Sequence, residues 1–281
     1  MGSLIDALAS VDAFDANPDK VIAWNLDRGS ALARLREILN RPELLHQRGL
    51  NACGPAVFFR VWLARDPAAV AVFACNLLKF GSANIGSLVV AAGHSLLNQN
   101  YSQIRASFDA NAGHQVTPES ADWMLLSALR DSENIFLDYL GEPSTVGDMA
   151  AGVTLPSTVQ GWLASTNVYS LVVNETNLVF AADKNHLLGL MPTANLDVVL
   201  MVNSAAASGI AVSPISPGWS PPPGAAFSIP NHYISMTGRF SESSDRLWVH
   251  MNFWSWGENQ AGWQGSDLLF SDYFGTVTAS I

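Results

Sequence analysis

A short turn-prone stretch leads into an apolar helix and places a cysteine at their junction. Residues 47–56 read QRGLNACGPA, and residues 57–64 continue as VFFRVWLA. Pro55 suits the first position of a helix, because its missing N–H would be unbonded there and its φ is already helical. A helix that is apolar on most faces is typical of a protein core. The sequence therefore predicts a buried helix that begins just after Cys53.

Cys53 is the first candidate functional residue. The positive end of a helix favours a thiolate over a thiol, and several enzyme folds hold a sulfur nucleophile in this way. The alternative is a buried thiol that only packs, since free cysteine is among the most buried residue types. Cys75 lies within the apolar run VAVFACNLL and is interpreted as packing, although a Cys53–Cys75 disulfide stays open.

The composition predicts a globular protein with a large core, as one large domain or two small ones. Of 281 residues, 49% are apolar and 14% are charged. The formal net charge is −10 and the 14 Lys and Arg residues are scattered, which argues against nucleic acid or an anionic membrane as partner. The N-terminal residues lack the cationic start and apolar run of a Sec signal. Glycines and Lys79 interrupt the most apolar region, so we expect no membrane span.

The first half of the chain has the periodicity of helices. Helical patterns cover residues 30–39, 55–64, 68–80, 118–129 and 155–163, whereas residues 81–86 are expected to form a loop. The second half has runs that are typical of strands: 168–173, 177–181, 197–202, 232–240, 247–254 and 275–279. The proline-rich residues 213–224 predict a long loop, and such loops often line sites.

This segregation of helices and strands predicts an α+β fold. We expect a single domain over 1–281, with a mainly helical subdomain over 1–152 and a mainly β subdomain over 153–281. The helical half carries the cysteine helix and packs on an antiparallel sheet.

A thiolate nucleophile needs a base, a group that orients the base, and donors for the oxyanion. His232 begins a predicted strand and is the candidate base, with His250 as its rival. Asn252 lies on the next predicted strand, where its amide oxygen could accept the imidazole N–H. Gln47 precedes Cys53 closely enough to turn back and donate to the same oxyanion as the Cys53 N–H.

These residues resemble the papain-like cysteine peptidases. The resemblance lies in three short islands: Gln47-x5-Cys53-Gly54, His232 at a strand start, and Asn252-x-Trp254. It implies a papain-like fold in which Cys53 is the nucleophile, His232 the base, Asn252 the orienting residue and Gln47 the oxyanion donor.

The resemblance also assigns roles around this triad. Trp254 would shield the bond between Asn252 and His232, and Gly54, Asn231 and Trp254 would contribute to substrate binding. A second register, Trp254-Ser255-Trp256-Gly257, matches the family's Asn-Ser-Trp-Gly and would put Trp254 at the Asn position. We prefer Asn252, because a tryptophan side chain accepts no proton.

The implied activity is hydrolysis of a peptide or amide bond through a covalent thioester. Residues 51–55 resemble the divergent bacterial branch of secreted effectors and toxins. That branch implies a protein or peptide substrate, a cognate immunity protein, and a protein that is cytoplasmic in its producer or exported without a Sec signal. We expect no cofactor and no metal, because no close-spaced ligand cluster appears.

Two alternatives stay open. The same triad serves glutamine deamidases and transglutaminase-type toxins. The third reading is a catalytically inactive, papain-like binding module.

Overall fold

The computed structural model describes residues 1–111, 119–133, 154–190, 193–208, 230–238 and 240–281. The chain divides into two compact units. The first comprises Met1–Thr154 with Ser165–Val168, and the second comprises Leu155–Ala164 with Tyr169–Ile281. Helices dominate the first unit, and the second has helices packed on an antiparallel sheet, so the protein is α+β. None of the described helices combines the length and the apolar character needed to cross a membrane.

The first unit contains seven α-helices within its described residues, together with two 3₁₀ turns at Pro42–Leu44 and Arg48–Leu50. The α-helices are α1 Leu4–Ala16, α2 Arg28–Asn40, α3 Cys53–Arg65, α4 Pro67–Phe80, α5 His94–Leu97, α6 Tyr101–Asn111 and α7 Ser120–Glu133. Local signals explain α4 well. Asp66 caps it by accepting the Ala69 N–H at 3.1 Å, and Pro67 occupies the first turn. Gly81 then ends it in the left-handed conformation (φ 72°).

A β-hairpin follows α4 where the sequence predicts a loop, so the loop prediction is wrong. It consists of β1 Ser82–Ile85 and β2 Leu88–Ala91, which pair antiparallel. Gly86 turns between them with φ 56°, and a Cβ there would lie 1.9 Å from the carbonyl oxygen of Ser165. The glycine is therefore needed both for the turn and for the close approach of the two backbones.

Helix α3 is the core of the first unit. Ten of its thirteen residues are buried. Phe58, Phe59 and Trp62 pack with Phe73 of α4, and neighbouring ring centroids in this cluster lie 5.2–6.1 Å apart. The observed burial confirms the prediction of a core helix. Burial of each such side chain stabilises the fold by about 1.5–3 kcal/mol.

The second unit is built on a seven-stranded antiparallel sheet. Its strands are β3 Leu171–Thr176, β4 Leu196–Val202, β5 His232–Met236, β6 Ser241–Glu242, β7 Trp248–Ser255, β8 Glu258–Gly265 and β9 Tyr273–Ser280. The order is β3-β9-β4-β5-β7-β6, with β8 on β7 as well. Its helices are α8 Pro156–Ser165, α9 Lys184–Gly189, α10 Ser204–Ser208 and α11 Ser266–Ser271.

One face of this sheet forms the core with the short helices. Ile234, Met251 and Phe253 on the sheet pack with Leu187 of α9 and Phe270 of α11. The same face carries His232, which alternates with Ile234 and Met236 along β5.

In the second unit, a predicted strand is not formed and an observed strand has no counterpart among the predicted strands. Residues 177–181 form a turn, because the Asn177 side chain accepts the N–H groups of Val179 and Phe180 at 2.9 and 3.1 Å. Strand β8 was not predicted, since its residues are polar and glycine-rich. The proline-rich stretch 213–224 lies outside the described residues.

Candidate functional site

Cys53 is the first residue of α3, so the helix begins slightly earlier than the sequence suggests. Ala52 is the N-cap and supplies no side-chain acceptor, and Pro55 has no N–H. The first intrahelical hydrogen bond runs from the Ala56 N–H to the Ala52 oxygen at 2.9 Å. The Cys53 and Gly54 N–H groups precede it, so this helix end concentrates partial positive charge beside the thiol.

Neither cysteine forms a disulfide, and both are buried, so the Cys53–Cys75 bridge is excluded. Burial raises the pKa of the Cys75 thiol to about 12. A thiol with that pKa is not nucleophilic at neutral pH, which agrees with packing as the role of Cys75.

The backbone before Cys53 holds two residues in the left-handed conformation. Arg48 has φ 47° and Asn51 has φ 51°. Asparagine tolerates this region, whereas arginine at φ > 0 is uncommon. Gln47 precedes both and is 7% exposed, and its buried Oε1 has no hydrogen-bond partner within the described ranges. Strained backbone next to an unsatisfied buried amide is typical of functional sites.

A buried ion pair fixes this segment to the helices. The Asp122 carboxylate on α7 is fully buried and accepts two hydrogen bonds from Arg34, at 2.7 and 3.0 Å. It also accepts the His46 N–H at 2.7 Å. Burial lowers the pKa of His46 to about 3, helped by Arg48 and Arg34, so its neutral ring accepts the Arg48 N–H at Nδ1.

Gly54 lies directly against Thr154. A Cβ on Gly54 would lie 2.5 Å from the Thr154 Cβ and Oγ1 atoms. Packing therefore explains this glycine. On the side of Gly54 that faces Thr154 there is no room for a substrate, although the sequence predicts that Gly54 helps to bind one.

In the second unit, His232 begins β5 and is 4% exposed. Its Nε2 lies 2.7 Å from the Ser255 Oγ at the end of β7. The pairing of Ser235 with Trp254 and of Met236 with Phe253 puts Ser255 diagonally across from His232. Burial lowers the pKa of His232 to about 4, so the imidazole is neutral at pH 7 and able to accept a proton.

Trp256 covers this histidine. The ring centroids of Trp256 and His232 lie 4.7 Å apart and the planes are tilted by 18°. Trp256 and Gly257 form the two-residue turn between β7 and β8, both with positive φ (51° and 86°). Such turns favour Asn-Gly, so a tryptophan there is strained.

Asn252 does not make the predicted contact with His232. It lies across from Thr237, whose N–H donates to the Asn252 carbonyl oxygen at 3.0 Å. Thr237 follows His232 by five residues, a separation of about 17 Å along a strand. The Asn252 Oδ1 is buried and has no hydrogen-bond partner among the described residues. Ser255, rather than Asn252, contacts the imidazole of His232.

The remaining predicted residues, Trp254, Asn231 and His250, make packing or hydrogen-bond contacts within the second unit. Trp254 pairs with Ser235 and lies on the opposite face of the sheet from His232, so Trp256 rather than Trp254 covers the histidine. The Asn231 Oδ1 accepts the Ser204 N–H at 2.7 Å. His250 packs edge-on against Trp263, with centroids 5.2 Å apart, and lies on the opposite face of the sheet from His232.

Within the described ranges, no three His, Cys, Asp or Glu side chains are grouped as a metal site would require. No family model, curated protein or solved structure matches the chain.

Proposed function

We propose that the protein is a papain-like thiol hydrolase that cleaves a peptide or amide bond, with Cys53 as nucleophile and His232 as base. The observation that carries the proposal is the setting of His232. Its neutral imidazole is hydrogen-bonded through Nε2 to the Ser255 hydroxyl. The ring of Trp256, a residue with a strained backbone, covers it. A general base must be unprotonated, held in one orientation and shielded from water, and His232 meets these three requirements.

The setting of Cys53 supports the other half of the proposal. The thiol lies at the positive end of a helix whose N-cap residue provides no side-chain acceptor. The backbone before it is strained at Arg48 and Asn51, and Asp122 anchors that segment through the His46 N–H. A rigid segment ahead of a nucleophile keeps its attack geometry constant.

In the proposed reaction, Nδ1 of His232 accepts the Cys53 thiol proton as Sγ attacks the carbonyl carbon. The Cys53 N–H and the Gln47 amide donate to the resulting oxyanion. The C–N bond breaks, His232 gives its proton to the leaving amine, and a thioester remains. Water then gives a proton to His232 and attacks the thioester, which releases the acid and restores the thiol.

Ser255 takes the orienting role in this scheme, in place of Asn252. A hydroxyl can accept the Nε2–H bond as an amide oxygen does, and it leaves Nδ1 available to the thiol. The resemblance to the effector and toxin branch extends the proposal to a protein substrate outside the producing cell.

Thiol reactivity tests the proposal. We expect iodoacetamide to alkylate Cys53 faster than a model thiol at pH 6–7, and His232→Gln to remove this excess. Cys75→Ala is the matched control and should leave the labelling unchanged. Proteome mass spectrometry after treatment with the protein should then show new peptide termini. Conversion of glutamine to glutamate would instead identify a deamidase.

The proposal fails if Cys53→Ala retains hydrolysis. It also fails if the Cys53 alkylation rate follows that of a model thiol at every pH. The second result would favour the inactive binding module.

A further inference from the structure

The first unit contains a groove between α4 and the β1–β2 hairpin. Its volume is about 740 Å³, within the range of ligand sites. One wall is the outward stripe of α4, which includes Val72, Asn76 and Phe80, and the other includes Ser82 and Asn84 of β1. We call this space the α4–β1 groove. None of the residues proposed for catalysis lines it.

The outer edge of β1 lines this groove, and its outward main-chain groups make no hydrogen bond to the described residues. The Ala92 N–H donates to the Gly81 oxygen at 2.9 Å, which sets the alternation of hydrogen bonds in the hairpin. Ala83 and Ile85 therefore bond to β2, and Ser82 and Asn84 turn their N–H and C=O groups outward. In the described part of the chain, no hydrogen bond reaches those outward groups.

The packing of the hairpin places the outer edge of β1 on the side of α4. β2 contacts α7, whereas β1 runs beside α4. The edge strand carries no proline or lysine that would block pairing with another strand. It is therefore open to the addition of an extended segment.

The α4 wall offers apolar surface to such a segment. Val72 is 50% exposed and Phe80 is 65% exposed. The largely buried Trp62 of α3 also contributes to the lining of the groove. Alternate side chains of an extended peptide point to one face, so they would cover the apolar residues while the main chain pairs with β1.

One end of the groove is negatively charged. The Asp66 side chain is 15% exposed, and its Oδ1 accepts the Gly2 and Ala69 N–H groups at 2.9 and 3.1 Å. Its Oδ2 has a longer contact, 3.8 Å, with the Met1 α-amino nitrogen. The 3.8 Å contact is longer than a hydrogen bond, so Oδ2 is able to accept one from a basic side chain in a bound segment.

We propose that the α4–β1 groove binds an extended peptide, which adds as a strand to the edge of β1, packs apolar side chains on Val72 and Phe80, and directs a basic residue to Asp66. This binding is independent of the thiol chemistry.

The experiment uses the full chain as Cys53→Ala, so that no peptide is consumed. A phage-displayed library of random dodecapeptides is selected on this protein, and the enriched peptide is synthesised with a fluorophore. Fluorescence anisotropy then measures its affinity for the parent and for each variant.

Asn84→Pro removes an outward N–H without removing a β1–β2 hydrogen bond, and we expect affinity to fall about tenfold. Asn84→Ala keeps the N–H and should bind like the parent. Val72→Asp should also weaken binding, whereas Val179→Asp, an exposed valine of the second unit, should not. Replacing the basic residue of the peptide with glutamine should reduce affinity for the parent more than for Asp66→Asn.

A peptide N-methylated at the positions that pair with β1 gives a second measurement, which does not depend on the folding of Asn84→Pro. Loss of binding by this peptide supports strand addition. The proposal is overturned if no peptide is enriched, or if the enriched peptide binds equally well after N-methylation and to Val72→Asp.

Discussion

The indole of Trp256 lies almost parallel to the imidazole of His232, with their centroids 4.7 Å apart, although its backbone is left-handed. A bulky residue at φ 51° costs about 1 kcal/mol or more relative to asparagine or glycine at that position. The turn would form more easily without tryptophan. The stacking on His232 offsets this cost and explains why a tryptophan occupies the turn.

We therefore expect Trp256→Asn to separate stability from activity. Asparagine suits the turn, so the free energy of unfolding should change by less than about 1 kcal/mol, while hydrolysis should fall about tenfold or more as water reaches His232. Thermal unfolding and kcat/KM measure the two effects. Trp256→Phe keeps an aromatic ring and should retain most of the activity. Equal activity in the Asn and Phe variants would contradict the shielding role.

Ser255→Ala should lower kcat about 10- to 100-fold, because it releases the imidazole from its oriented position. It should also cost about 1–3 kcal/mol of stability by leaving Nε2 buried without a partner. Asn252→Ala is the matched control on the same strand and should leave kcat unchanged. If Asn252→Ala is the more damaging substitution, the assignment of Ser255 is wrong.

The pH dependence of stability should report on His232. Its folded pKa of about 4 lies below the ordinary value of 6.5, so between these values the unfolded chain binds more protons. The contribution of His232 to stability is complete above pH 6.5 and is lost as the pH falls towards 4, by up to about 3 kcal/mol. The buried His46, with a pKa of about 3, adds a decline in the same direction, so the His232 part is the difference between the parent and His232→Gln. Urea unfolding at pH 7.5, 5.5 and 4.5 measures the decline. The decline should be smaller in His232→Gln than in the parent. If the two proteins lose the same stability between pH 7.5 and 4.5, His232 is not buried as a neutral ring.

Gly54→Ala should destabilise the first unit by about 1–3 kcal/mol, because its methyl group overlaps Thr154. Thr154→Gly removes the overlapping atoms, so the double variant should recover much of the loss. A double-mutant cycle on urea unfolding measures this coupling. Additive effects would indicate that the two residues do not touch.

Local signals predicted much of the fold. Asp66 and Pro67 mark the start of α4, and the apolar residues of α3 predict its burial. The signals fail where a side chain redirects the backbone, as Asn177 does in a run that otherwise reads as a strand. They fail again at β1, since its four residues are too few to show a period.

The orienting residue of the candidate site depends on strand register, which no local pattern specifies. Both Asn252 and Ser255 lie near a tryptophan on the same stretch of sequence. Only the pairing of Met236 with Phe253 determines which of them reaches His232. A shift of a few residues would have exchanged their roles.

The contacts of Asp122 determine when the segment that precedes α3 can be fixed in place. Its partners, Arg34 and the His46 main chain, are separated from it by 88 and 76 residues. During synthesis α3 is therefore made long before the carboxylate that holds its approach segment. A nascent chain would carry Cys53 behind an unanchored segment until α7 docks, so that segment becomes fixed only after translation has passed residue 133.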